Sequence, residues 1–421
     1  MTLEEIYRSD NILAKKIGTF SKDTLVISFD SYTDNPYLDR TGFGEHFFQK
    51  NSVDCIHIIS KTNSWYQYQE MDDIISEIFK ISKNYDKVFT YGASMGGYAA
   101  IRFGRKLDAT AIAISPQYSV DPKVFPEERR WIESVNITYF QECRRPIEPL
   151  KYTIIFYDPF YDLDRRHVKR ISKDTSVTEV PIPYAGHMAG VYLAEVGILG
   201  EGIMGIINGN FNAALFSHIA RKRRSESAKY YETLSALARR RHPEWALSFA
   251  RKAVEICPSD AGPAHNLAQH HKERSEYVEA EFWEQKATEI DPSNLLYQKC
   301  LAIILLEKKE TINCRIILEK LLKSDPKEAD YFHLMALSFR IEGRFSEALP
   351  LEEQAVARNP TRSLYRKDLY LLQKELNRQT KNRIPGSKPI NLSSIIKNND
   401  SNSDKFLKKI NHLKKYLKNF T

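Results

Sequence analysis

The feature that most constrains the fold of this chain is a 34-residue period in its second half, marked by four prolines. Small residues keep the same period twelve positions before each proline. The prolines and the small residues are Pro258, Pro292, Pro326 and Pro360, and Ala246, Ala280, Cys314 and Ala348. Because small side chains let two helices pack closely and a proline ends a helix, the period predicts four stacked helix hairpins.

This pattern resembles the tetratricopeptide repeat (TPR), which it matches in repeat length and in the positions of the small residues and the proline over roughly residues 225–360. The resemblance implies an all-α solenoid, predicted here at 225–376, with a curved surface that binds a protein or peptide. The alternative is a solenoid that only shields and stabilises the rest of the chain. The first unit is predicted to be degenerate, because His242 and Pro243 interrupt its turn.

The first half of the chain, residues 1–215, alternates short apolar runs with helical segments. Helices are predicted at about 70–83 and 95–106, and strands at 24–29, 53–59, 87–91, 109–114, 152–157 and 176–182. Apolar runs without polar alternation are typical of strands buried on both faces. The pattern therefore predicts an α/β fold with a mostly parallel sheet between helices.

A G-x-S-x-G motif at Gly92 to Gly96 places Ser94 between a predicted strand and a predicted helix. This arrangement is typical of a nucleophile elbow, in which a serine occupies a sharp turn and nearby glycines avoid clashes. The start of the helix then directs backbone N–H groups at the reaction centre. The motif and its position predict that Ser94 is a nucleophile.

A serine nucleophile needs a histidine base and an acid, in the chain order serine, acid, histidine. His187 follows the last predicted strand, and Asp158 follows the strand before it. Asp162 and Asp164 lie close to Asp158 and stay open as alternatives for the acid. In these roles Ser94 attacks a carbonyl carbon, His187 transfers the proton, and the acid orients His187.

The elbow and this order of residues resemble the α/β-hydrolase superfamily over roughly residues 20–210, in a shortened form that lacks the first strands. The resemblance implies a serine esterase or deacylase, or an acyltransferase that uses the same acyl-enzyme. It also implies an oxyanion hole made by the N–H of Met95 and by a second N–H from Asp30 or Ser31. A third alternative is a non-catalytic interaction protein with a relic hydrolase domain.

Residues 116–150 occupy the position of a cap in this superfamily and combine aromatic with basic side chains. These are Tyr118, Phe125, Trp131, Tyr139 and Phe140, and Arg129, Arg130, Arg144 and Arg145. Such a cap fits a sugar-linked or anionic acyl substrate, or it packs on its own aromatic residues. Similarity to bacterial hydrolases associated with surface-polysaccharide assembly points to a sugar-linked ester. Trp65 and Tyr66 are predicted to be core residues, with a place at the pocket border as the alternative.

The positive charge of the chain is concentrated in its tail, predicted at 377–421 as a flexible linker and an amphipathic helix. Residues 361–421 hold 15 Lys/Arg and 4 Asp/Glu, whereas the whole chain has a net charge of +8. Residues 404–420 place apolar side chains on one helix face and lysines on the other. Three interpretations follow: contact with an anionic membrane, docking in a partner groove, or capping of the solenoid.

Other sequence features narrow the function class. The five cysteines form no CxxC pair, and the N-terminal residues do not resemble a signal peptide, which predicts a cytoplasmic protein. Because the tail is positively charged, a peripheral position at the inner face of the membrane is the alternative location. The sequence contains no recognised phosphate loop, metal-ligand cluster, dinucleotide fingerprint or nucleic-acid-binding module, so we expect no cofactor, no metal and no nucleic-acid partner.

Overall fold

The computed structural model describes residues 3–18, 23–33 and 35–383. A mixed β-sheet region is followed by a helical repeat region. The chain divides into two compact units, one ending at Ile290 and the other beginning at Asp291. The first unit therefore contains the sheet and the first four repeat helices, and the division lies inside the region predicted as a solenoid.

An eight-stranded sheet with strand order β1-β2-β4-β3-β5-β6-β7-β8 is the centre of the first unit. Strands β3 to β8 all pair in parallel, whereas β1 and β2 pair antiparallel with their neighbours. The α/β expectation is confirmed as a mixed sheet. The strands in chain order are Leu3–Arg8, Ile12–Ile17, Thr24–Phe29, Asp54–Ser60, Lys87–Ala93, Thr110–Ile114, Thr153–Tyr157 and Thr178–Pro181.

The expectation that the first strands are missing is wrong, because β1 and β2 form a hairpin that extends the sheet beyond β4. Both strands contain charged residues, so neither forms the apolar run from which the other strands were predicted. β1 reads LEEIYR and is largely exposed at the edge, where charged side chains discourage pairing with other chains. β2 reads ILAKKI, and its buried Lys15 is compensated by Glu45, with Nζ 2.9 Å from the carboxylate.

Apolar clusters cover both faces of the sheet, as the alternation of side chains in β3 illustrates. Val26 belongs to one cluster, whereas Leu25 and Ile27 belong to another. Such two-sided burial is typical of parallel strands. The helices of this region, α1 to α8 in chain order, are Glu45–Lys50, Met71–Ser82, Met95–Gly104, Gln141–Arg144, Asp162–Asp174, Ala189–Glu195, Leu199–Ile207 and Ala213–Lys222.

The predicted helix hairpins are confirmed. In the first unit the repeat helices are Ala228–Ala238 (α9), Pro243–Ile256 (α10), Ala261–Glu273 (α11) and Tyr277–Ile290 (α12). In the second unit they are Leu295–Glu307, Thr311–Ser324, Ala329–Ile341, Phe345–Arg358 and Ser363–Arg383 (α13 to α17). The small residues at period 34 are all fully buried, as close helix packing requires.

The first repeat is regular rather than degenerate. Pro243 is the first residue of α10, and it occupies the same repeat position as Tyr277, Thr311 and Phe345. A proline fits the first position of a helix because the N–H it lacks has no intrahelical acceptor there. The dipeptide at 242–243 therefore starts a helix and does not disrupt a hairpin.

The predicted tail lies mostly outside the described residues, including the amphipathic segment at 404–420. Helix α17 continues through Arg383, so the beginning of the predicted linker is helical. Within the described ranges no single helix is long and apolar enough to cross a membrane. The bent pair Gly186–Glu195 and Leu199–Ile207 has that length and composition only when its two helices are taken together.

Candidate active site

Ser94 lies on a strained turn between β5 and α3, with φ 51° and ψ −113°. Close backbone approach explains the two flanking glycines. A Cβ on Gly92 would lie 2.3 Å from the backbone of Gly96, and a Cβ on Gly96 would lie 2.3 Å from the carbonyl oxygen of Phe29. The turn thus requires glycine at both positions, and it presents the Ser94 hydroxyl at the carboxyl edge of the sheet.

A chain of hydrogen bonds joins Ser94, His187 and Asp164. Ser94 Oγ lies 2.9 Å from His187 Nε2, and His187 Nδ1 lies 2.8 and 3.0 Å from the two carboxylate oxygens of Asp164. His187 occupies a short 3-10 turn after β8, and Asp164 belongs to the first turn of α5. The structure therefore brings together two of the predicted site residues with one of the alternatives for the acid.

Asp158, the first choice for the acid, does not contact His187. Its carboxylate accepts hydrogen bonds from the N–H of Phe160 at 2.9 Å and of Gly186 at 2.8 Å. Burial raises the pKa of Asp158, while these backbone donors act in the opposite direction. Asp158 therefore fixes the turn before α5 and the residue before His187.

The helical geometry of α5 explains why Asp164 replaces Asp158. The helix begins at Asp162, so its first turn carries Asp164 inward to a fully buried position against His187. Asp162 points outward and forms ion pairs with Arg165 and Arg166. Sequence spacing alone could not separate three acids within seven residues, because their directions depend on where the helix starts.

A buried network of charges surrounds Asp164. Arg130 Nη1 lies 3.0 Å from Asp164 and also pairs with Glu128, whose carboxylate contacts His167 Nε2 at 3.0 Å. Burial acts to raise the pKa of Glu128, but His167 and Arg130 outweigh it and bring the pKa to about 2. Arg130 thus provides positive charge that compensates the buried carboxylates.

Most of the predicted cap residues pack within the protein. Arg130 and Arg144 are held in ion pairs, the latter with Asp121 at 2.7 Å, and the ring of Phe125 stacks on His167 at 4.0 Å. Two of these contacts attach the cap to α5 through Asp164 and His167, and of the three only the Arg144–Asp121 pair lies within the cap itself. Trp131 is different, because its side chain lines the cavity at Ser94.

Gln117 is a site residue that the sequence analysis missed. Its Nε2 donates to Ser94 Oγ at 2.8 Å, and its Oε1 accepts from Trp65 Nε1 at 3.3 Å. The only signal for Gln117 was its position after β6, the strand next to β5, where parallel strands place functional side chains.

Trp65 and Tyr66 are buried core residues, as predicted. Tyr66 donates a hydrogen bond to the carbonyl oxygen of Asp30.

The structure changes the predicted oxyanion hole. Met95 opens α3, and the first N–H groups of a helix have no intrahelical acceptor. Asp30, in contrast, donates its N–H to the carbonyl oxygen of Ile58 at 3.3 Å, so this donor is committed to the sheet. The alternative, Ser31, lines the cavity at Ser94.

The carboxylate of Asp30 has a structural role instead. It accepts from Arg40 at 2.7 Å and from the N–H of Phe43 at 3.1 Å. Burial raises the pKa of Asp30 to about 6, although Arg40 opposes this shift. Asp30 thereby anchors the loop that brings Phe43 to the cavity.

Two cavities with different sets of lining residues lie at this site. One, of about 440 Å³, contains Ser94 and His187 and is lined mainly by apolar side chains, among them Phe43, Ile114 and Trp131. The other, of about 680 Å³, shares Tyr32 with the first. Most of its lining residues carry polar side chains; these are Lys61, Thr62, Asn63, Ser64, Gln67, Glu133, Asn136 and Thr138.

No protein-family model and no curated protein matches this chain. Among solved structures, the chain is similar to MamA 41-end from Desulfovibrio magneticus RS-1, with 20% identity, a TM-score of 0.33, and coverage of 37% of this chain and 89% of that one. It is similar to YrrB, described as a TPR protein with an unusual peptide-binding site (15% identity, TM-score 0.34, coverage 42% and 89%). A third similar structure is PilF of Pseudomonas aeruginosa (18% identity, TM-score 0.33, coverage 47% and 94%).

Proposed function

We propose that the chain is a serine hydrolase that cleaves carboxylic esters through an acyl-enzyme on Ser94. The observation that carries this proposal is the continuous hydrogen-bonded chain from Ser94 Oγ through His187 to the buried Asp164. A hydroxyl, an imidazole and a carboxylate in this geometry form the arrangement that activates a serine.

The proposed reaction has two steps. His187 Nε2 takes the proton of Ser94 Oγ as the oxygen attacks the ester carbonyl, and the same nitrogen then protonates the departing alcohol. Water, deprotonated by His187, next attacks the acyl-enzyme and releases the carboxylic acid. Asp164 holds the tautomer of His187 that presents a bare Nε2, and the Met95 N–H stabilises the oxyanion.

The fold supports the assignment to the α/β-hydrolase superfamily. Ser94 follows β5 on a strained elbow, Asp164 lies beyond β7, and His187 follows β8. Functional groups thus come from the carboxyl ends of three strands of one sheet, in the chain order serine, acid, histidine. With β1 and β2 present, the sheet has eight strands rather than a shortened set.

Labelling with an ethyl fluorophosphonate probe tests the proposal. Wild-type protein should be labelled on Ser94, Ser94→Ala should not be labelled, and His187→Ala should react far more slowly. Ser76→Ala is a matched control, because Ser76 is an exposed serine on α2 whose Oγ bonds the carbonyl oxygen of Asp72. A folded wild-type protein that remains unlabelled would contradict the proposal.

An acyltransferase with the same residues is the second candidate, and the polar cavity favours it. This cavity shares Tyr32 with the cavity of Ser94, so an acceptor hydroxyl bound there would be near the acyl-enzyme. Glycerol and monosaccharides added to an ester assay distinguish the two functions. Transfer predicts acyl-acceptor products in excess of free acid, whereas hydrolysis predicts free acid at every acceptor concentration.

We also propose that the repeats bind a protein or peptide partner, because helix hairpins of this period stack into extended surfaces. We further propose that the substrate is a sugar-linked ester. The proposed location is the cytoplasm or the periphery of the membrane. Sedimentation of the protein with anionic and neutral vesicles tests the membrane part. Equal binding to both, or none, would exclude a role for anionic lipid.

A further inference from the structure

A second apolar cavity lies beside the cavity at Ser94. This cavity has a volume of about 370 Å³ and shares Phe43, Ala194 and Leu199 with the first. Because the same three residues line both spaces, the two cavities are neighbours, and together they offer an apolar path away from the Ser94 hydroxyl. We call the outer part of this space, lined by Phe43, Phe47, Ala194, Leu199 and Ile203, the acyl groove.

The acyl groove presents hydrocarbon to any bound group. Its walls come from α1, α6, α7 and the loop before α1, and its remaining lining consists of Gly44, Tyr91, Gly197 and Gly200. None of these side chains carries a formal charge. Glycines keep the groove open, since a Cβ on Gly200 would lie 2.8 Å from the ring of Phe47. An apolar chain gains free energy by leaving water for such a surface, whereas a sugar would lose hydrogen bonds there.

The polar cavity, which shares Tyr32 with the cavity at Ser94, suits a hydrocarbon chain less well. Its lining includes Lys61, Asn63, Glu133 and Asn136, whose side chains carry charged or amide groups. Such groups favour a ligand that brings hydroxyl or amide groups, because they would lose hydrogen bonds against a hydrocarbon. The two cavities therefore favour different parts of a substrate.

We infer that the acyl group carried on Ser94 is an aliphatic chain that extends from the reacting carbonyl along the acyl groove. This inference rests on the proposed function and specifies its substrate class as esters of medium-chain fatty acids rather than acetate esters. The polar cavity is left for the alcohol part of the substrate.

A chain-length series of p-nitrophenyl esters tests the inference, with Ala194→Phe as the variant. Ala194 is exposed to solvent and lines both cavities, so a phenyl ring there obstructs the groove without entering the core. Wild type should hydrolyse the octanoate with a higher kcat/KM than the acetate. Ala194→Phe should lower the ratio of kcat/KM for the octanoate to kcat/KM for the acetate by roughly tenfold or more.

Ala214→Phe is the matched control, since Ala214 is an exposed alanine on α8 that lines neither cavity, and this variant should match wild type on both esters. Ethyl fluorophosphonate labelling distinguishes a failure of the acyl groove from a failure of the proposed hydrolase function. A protein that is labelled but prefers acetate, or whose ester preference is unchanged by Ala194→Phe, overturns the acyl groove and leaves the hydrolase intact. A protein that is neither labelled nor active overturns the proposed function itself.

Discussion

Asp164 and Asp158 show how similar acids acquire different roles from their immediate surroundings. Both carboxylates are almost completely buried, and both lie near the loop of His187. Asp164 has an imidazole and the Arg130 guanidinium as partners, whereas Asp158 has two backbone N–H groups. The first set of partners stabilises a charge that acts on His187, and the second set stabilises a turn.

Substitution with asparagine separates these roles. Asp164→Asn should lower kcat by about three to four orders of magnitude, because an amide can leave His187 in the wrong tautomer. Asp158→Asn keeps one acceptor oxygen for the backbone, and we expect less than about a tenfold loss in kcat together with a lower Tm. Ester hydrolysis and thermal unfolding of both variants measure the two effects. A larger loss of kcat in Asp158→Asn than in Asp164→Asn would contradict the assignment.

Gln117 should act as a positioning residue for Ser94. Its amide donates to Ser94 Oγ, which leaves the hydroxyl proton directed at His187. Gln117→Ala should lower kcat by roughly tenfold with little change in KM. Relative to wild type at the same pH, Gln117→Glu should lower kcat further above the pKa of the new carboxyl and by less below it, because a carboxylate repels the negative charge that develops on Oγ. A pH–rate profile that is the same for the two variants would show that only packing matters here.

At the scale of elements, the sequence predicted the parts that depend on local pattern. The apolar runs of β3 to β8 and the 34-residue period are such patterns, and both were located to within a few residues. The edge hairpin was missed because Glu4, Glu5, Lys15 and Lys16 break its apolar pattern. Gln117 and Asp164 were missed as first choices because side-chain direction at the end of a strand or the start of a helix is set by tertiary contacts.

The elbow is the element on which the site depends most, and two glycines provide a matched test of it. Gly96→Ala forces a Cβ to within 2.3 Å of the Phe29 carbonyl oxygen, so β5, α3 and β3 must move apart. Gly205→Ala, on α7, places a Cβ in ordinary contact with Asn210 Oδ1 at 3.4 Å. We expect Gly96→Ala to abolish fluorophosphonate labelling and to lower the free energy of unfolding by several kcal/mol, about the scale of severe strain. Gly205→Ala should retain labelling and stability; equal effects in the two variants would contradict this account.

At the scale of the whole molecule, the first repeat helix packs against the loop of His187 within the first compact unit. A Cβ on Gly186, next to His187, would lie 3.0 Å from Thr233 Oγ1 of α9. Glu195, at the end of α6, accepts from the hydroxyl of Ser227 and from the N–H of Lys229 at 3.0 Å, which fixes the start of α9. The repeats therefore begin as part of the structure that supports the site.

This packing predicts that loosening α9 disturbs the site. Glu195→Ala removes the acceptor for two donors at the start of α9, so amide hydrogen exchange should rise both in α9 and in residues 184–190, and fluorophosphonate labelling should slow. Glu201→Ala is the control, because Glu201 is an exposed glutamate on α7 and should change neither quantity. Exchange that rises in α9 alone, with labelling unchanged, would mean that the loop of His187 is held by the sheet without help from the repeats. Slower labelling together with faster exchange in both segments would mean that a ligand that stabilises the first repeat also stabilises the hydrogen-bonded chain of Ser94, His187 and Asp164.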